Sequence, residues 1–260
     1  MKKALFWTLF WVVLALLFAL GIFVFMGQEA AVTFLSGYVL EKALSVDNLF
    51  LFLLIFKFFK LPTPLQKRVF RYGIWGAIIM RTIMILLGCA LVMRFSWILY
   101  IFGAFLLITG LKMAFTQEDP NALENSRLIR WLQTHFRFTA RLDGQRFFVI
   151  ENGLRYATPL FLALILIELT DLIFATDSIP AIFAITQDPF IIITSNLFAI
   201  LGLRSLYFVL AGTLDRFHFL RYGLACILSL VGVKLLITRW IHVPPALTLA
   251  VIISILAISM

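Results

Sequence analysis

Apolar stretches of about twenty residues recur along this chain, and that length matches a bilayer. A hydrocarbon layer is ~30 Å thick and an α-helix rises ~1.5 Å per residue. Eight such runs fall at roughly 4–26, 31–57, 70–93, 95–115, 157–178 (continuing, broken, to 186), 189–212, 219–238 and 244–260. Of the 260 residues, 63% are hydrophobic and 13% charged, whereas soluble domains run near ~45–50% and ~25%. A soluble core of this size cannot hide so much apolar surface. The expectation is an all-α polytopic membrane protein with about eight transmembrane helices. Lys2 and Lys3 precede the first run, which is longer than a signal-peptide core of ~7–15 residues and reads as a retained helix.

The basic residues orient the chain. Fifteen Lys and Arg fall on the side that holds the N-terminus, the loops at 57–71, 116–156 and 213–221, and the C-terminus; Arg94 and Arg239 fall on the other. Cytoplasmic loops carry the excess of Lys and Arg, so both termini are expected in the cytoplasm of a bacterial inner membrane. The net charge of +9 is thereby explained by topology rather than by nucleic acid. Cys89 and Cys226 both lie in apolar runs, where a lone thiol is usually a small packing residue.

The segment 116–156 is the only sizeable polar piece. NSRLIRWLQTHF at 125–136 reads as a short amphipathic helix on the membrane surface. Asp143-Gly144 and Asn152-Gly153 are hairpin turn signals.

The two halves of the chain echo each other. Glu41-x5-Asp47-Asn48 matches Asp171-x5-Asp177-Ser178, Gly73-x7-Arg81 matches Asn196-x7-Arg204, and Tyr100-x11-Lys112 matches Tyr222-x11-Lys234. Each unit holds three spans, an odd number, so the second enters the membrane from the opposite face. The chain thus divides into an N-terminal helix (1–30), a first three-helix repeat (31–115), a cytoplasmic segment (116–156), a second, inverted repeat (157–238) and a C-terminal helix (239–260). Inverted repeats are typical of secondary transporters, whose sites lie near the midplane at the repeat interface.

Glu41, Asp47, Glu168, Asp171 and Asp177 lie inside spans. Each costs roughly 2.5–3.5 kcal/mol at a bilayer centre on insertion scales, so they must pair, bind a cation or take up protons. The bland account is structural pairing with Lys42, Arg81 and Arg204, which leaves the five acids two positive charges short. One divalent cation or two protons would close that gap. At ~100° per residue Glu168, Asp171 and Ser178 share a helix face, whereas Asp177 lies ~180° from Glu168. Asp177 is expected to reach the same site only if the helix breaks near Pro180. Glu41, Ser45 and Asn48 likewise share a face. The donors are all oxygen, which suits Mg, Ca or Mn and disfavours Zn or Cu. Asn196 either lines this site or bonds a neighbouring helix, and Arg81 and Arg204 are expected as counter-ions. Paired aspartates in membrane helices also occur in aspartyl proteases, where two carboxylates share a water. The breadth of this acid set and the repeat argue against an enzyme.

The motifs SGYVLEKALSVDNLF at 36–50, ILYIFGAFLLITGLKMA at 98–114, YATPLFLALILIELTDLIFATDSIPAIFAIT at 156–186 and SNLFAILGLRSLYF at 195–208 resemble the TerC family of integral membrane proteins, especially its pH-responsive manganese exporters. That family looks like a relative of the lysine-exporter superfamily, built of two inverted three-helix units. The resemblance implies export of Mn²⁺ as the transported ion, with no resident cofactor. Its motif positions fall on Glu41, Asp47, Asn48, Glu168, Asp171, Asp177 and Ser178 as metal ligands. An alternative is a membrane partner that delivers metal to exported proteins at the translocation machinery.

Overall fold

In a computed structural model of the chain, the structure describes residues 2–115, 137–139, 142–151, 153–210, 219–241 and 243–259, without the side chains of Lys2, Asp47, Arg204 and Leu210. Eight helices run α1 (Lys2–Met26), α2 (Gln28–Phe58), α3 (Thr63–Arg94), α4 (Ile98–Phe115), α5 (Pro159–Phe183), α6 (Pro189–Leu210), α7 (Leu220–Ile237) and α8 (Pro245–Ser259). The chain is a multi-pass, all-α membrane protein. Six of these helices are long and apolar enough to cross a bilayer; α8 is shorter. α2 has the length, at 31 residues, but carries Glu41, Lys42 and Asp47 in its middle. Outward-facing side chains such as Phe25, Met93 and Ile173 are apolar and exposed, as a lipid-facing surface requires.

Local chemistry sets the helix ends. Gly27 takes φ 92° between α1 and α2, a left-handed turn that glycine adopts without a Cβ clash. Pro64, Pro159, Pro189 and Pro245 stand in first turns, where a missing N–H costs nothing. The Asp188 carboxylate accepts from the Phe190 amide at 2.9 Å, capping α6.

α2 is the central helix, packed against α1, α5, α6 and α8. α3 lies along α5, and α4 and α7 form the longest seam. That seam is close because it is glycine-lined. A Cβ at Gly110 would meet Ala225 O and Ser229 N, both at 2.8 Å; one at Gly232 would meet Gly103 O at 2.8 Å and Leu107 N at 2.7 Å. Under the Tyr100/Tyr222 alignment these two sets of contacts exchange with each other. Backbones this near depend on small residues. Gly232→Ala is expected to force the helices apart at a cost of about 1–3 kcal/mol. The thermal midpoint of the solubilised protein reads this out, against Gly21→Ala, which meets only open space.

The polar segment ahead of α5 contains the expected hairpin. β1 (Phe148–Glu151) pairs antiparallel with β2 (Leu154–Ala157), Glu151 opposite Leu154. Gly153 takes φ 76° at the turn, and the Asp143 carbonyl accepts from the Arg146 amide at 3.1 Å. The surface helix expected at 125–136 lies outside the described residues.

One expectation fails. α5 runs unbroken through Pro180 to Phe183. Proline removes one N–H, and its ring crowds the carbonyl four residues back. Here that happens in the last turn, where little helix remains to be disrupted.

Candidate functional site

The centre of the bundle is a buried ionic knot on Arg81 of α3. This arginine is only 2% exposed. Its Nη2 and Nε bond the two oxygens of Asp171 at 2.8 and 3.0 Å. Its Nη1 bonds Glu41 Oε1 and donates to Asn196 Oδ1 at 3.2 Å, with Ser178 Oγ at 3.5 Å. One guanidinium thus ties α2, α5 and α6 to α3. Arginine suits this place because its planar fork meets a carboxylate with two parallel bonds. Asn196 completes its own bonding by donating to Ile192 O at 3.2 Å. It therefore bonds the neighbouring helix α3, and it does so as part of the knot.

Beside the knot lies a cavity of about 240 Å³. Glu41, Asn48, Asp177 and Ser178 line it, together with Arg81 and Thr109. Lys112 and Arg221 come from the Phe115 end of α4 and the Leu220 end of α7; Arg221 Nε donates to Met113 O at 3.1 Å. Asn48 is buried, its Nδ2 reaching Asp171 Oδ1 at 3.5 Å. Among the described residues its Oδ1 has no donor.

The site residues named from sequence are thus distributed rather than pooled. Glu41, Asp171, Ser178 and Asn196 converge on Arg81, Asn48 joins through Asp171, and Ser45 is buried one turn from Glu41. Asp177 reaches the cavity without a helix break. It lies about 120° around α5 from Asp171, and the cavity is broad enough to meet both faces. Glu168 goes elsewhere: its carboxylate rests against α3 at Gly73 and Gly76, where an added methyl at Gly76 would overlap it. The side chains of Asp47 and Arg204 lie outside the described residues. Among the described residues no three of His, Cys, Asp and Glu stand together as a metal-ligand cluster.

Lys42 corrects an expectation. It donates to Ala199 O at 2.9 Å and lies 5.8 Å from the Tyr38 ring centroid, and among the described residues it pairs with none of the acids. One residue on from Glu41 points it about 100° away, toward α6. Nothing in the sequence singles out Thr109, and Lys112 is marked there only by its repeat match with Lys234. Each lies on a run whose apolar neighbours give no hint of an internal cavity.

A bundle of apolar helices around buried carboxylates and one shared arginine defines a polytopic membrane protein with a buried polar centre. The integral membrane protein TerC family model matches residues 26–260, and the chain belongs to that family. It is 53% identical over 267 residues to the Escherichia coli K12 protein named "Putative membrane-bound redox modulator Alx", covering 100% of this chain and 83% of that one. It is 46% identical over 258 residues to an uncharacterized membrane protein of Myxococcus xanthus, covering 99% and 81%. No solved structure matches.

Proposed function

We propose that this protein is a secondary transporter that carries manganese(II) or a similar divalent cation out of the cytoplasm, driven by protons or the membrane potential. It would sit in a bacterial inner membrane with both termini in the cytoplasm. The observation that carries the reading is the cavity wall. Glu41, Asn48, Asp177 and Ser178, each bearing a side-chain oxygen, line one space, and among the described residues the buried Asn48 carbonyl oxygen has no donor. A hard cation satisfies such oxygens.

Charge bears on the same reading. Glu41 and Asp171 share the cation Arg81, and Asp177 adds a third carboxylate. With all four ionised they carry two net negative charges, so a divalent cation held there would compete with Lys112 and Arg221, which line the same cavity. Arg81 then acts as a fixed counter-ion that holds the carboxylates in place when no cargo is bound. The reciprocal contacts of Gly110 and Gly232 favour an inverted repeat with its site at the interface. Manganese over magnesium or calcium rests on the family resemblance.

The test is flux. Purified protein in liposomes should move Mn²⁺ across the membrane, read by a manganese-quenched dye inside. Absence of flux from well-folded protein, with metal transfer appearing only beside translocation components, would replace transport by metal delivery.

A further inference from the structure

α1 packs along α2 and α6, and its side toward α3 stays open. There it leaves a groove of about 760 Å³, against about 240 Å³ for the central cavity. Trp7 and Trp11 of α1, Ile74 of α3 and Phe208 of α6 make its walls largely apolar. Two lysines stand at one end: Lys3 in the first turn of α1, and Lys67 in the second turn of α3. Lys67 Nζ is 5.7 Å from the Phe208 ring centroid, close enough for a cation–π contact that keeps it over the groove. Among the described residues neither lysine has an ion-pair partner.

We propose that this groove is a binding site for an acidic glycerophospholipid, its phosphate on Lys3 and Lys67 and an acyl chain between α1 and α3. The groove opens sideways between helices that face hydrocarbon, so its apolar depth is filled by lipid chains rather than by water. Tryptophans favour the level where chain meets headgroup, and basic pockets between transmembrane helices recognise anionic headgroups. Two cations from different helices at one mouth, neither ion-paired among the described residues, select an acidic headgroup over a zwitterionic one. Lys57 and Lys60, in the nearby passage from α2 to α3, add to the positive field. This inference stands apart from the identity of the transported ion.

Native mass spectrometry of the full-length chain in detergent tests it, with phosphatidylglycerol and phosphatidylcholine of identical chains as probes. Phosphatidylglycerol should bind roughly tenfold more tightly. The double variant Lys3→Gln/Lys67→Gln should lose that preference, and Arg94→Gln at the far end of α3 should keep it. Ala4→Trp, which fills the groove from α1, should weaken both lipids. Equal binding of the two lipids by the unaltered protein, or a preference that survives the double lysine variant, would overturn the site. So would displacement of bound lipid by soluble glycerol 3-phosphate at matched concentration, because the acyl chain would then contribute nothing.

Discussion

Replacing Arg81 by alanine is expected to lower the stability of this protein by about 3–5 kcal/mol, the scale for removing one partner of a buried ion pair. The loss comes from what is left behind. Glu41 and Asp171 would face each other across a water-poor centre with no cation between them, and Asn196 would lose its donor. Arg81→Lys should fall between the two proteins, because an ammonium keeps the charge but not the fork that meets Asp171 with two bonds. Thermal unfolding in detergent measures both. The proposed function adds a sharper expectation. Mn²⁺ should raise the midpoint of Arg81→Ala by more than it raises that of the unaltered protein, since binding to the folded state stabilises it and the vacated carboxylates are open to the ion. A midpoint within a degree or so of the parent would mean that the knot holds nothing together.

Asp177→Asn is expected to cut Mn²⁺ flux by on the order of tenfold or more, because affinity in oxygen-ligand sites follows the number of charged ligands. It should do so with the fold intact. Asp177 lies on the cavity wall and forms no ion pair with the described residues, so an amide of the same shape leaves no buried charge stranded. Flux in liposomes beside the thermal midpoint separates the two effects. Glu29→Gln, at the exposed start of α2, should change neither. Undiminished flux in Asp177→Asn would remove this carboxylate from the pathway and leave Glu41 as the acid on the cavity wall.

These two residues show how differently sequence and structure speak. Arg81 was marked as a counter-ion because an arginine deep in an apolar run must find an acid. Nothing in the sequence chose which acids, and the answer, Glu41 and Asp171 together, depends on how α2 and α5 lean on α3. Asp177 was marked as an acid that needed a broken helix to reach its partners. The helix is intact and Asp177 still meets the cavity, whose wall is shared with Thr109 of α4 and Leu228 of α7. Lys42 was counted among the cations for the acids and instead bonds a backbone carbonyl of α6.

What the sequence determined alone is the class of fold and the cost at its centre. Apolar runs of bilayer length make transmembrane helices, because a backbone in hydrocarbon must satisfy its hydrogen bonds within itself. Carboxylates inside those runs must be neutralised, because an isolated charge there is too costly. Both follow from residue type and spacing. The tertiary structure decided which oxygens share a space. It joined Glu41, Asp171, Ser178 and Asn196 on Arg81, set Asp177 on the adjoining wall, and turned Glu168 aside into the notch at Gly73 and Gly76. Helical periodicity places a side chain around its own axis only. The angle and distance between helices, fixed here by close glycine contacts such as those of Gly110 and Gly232, determine what that side chain meets.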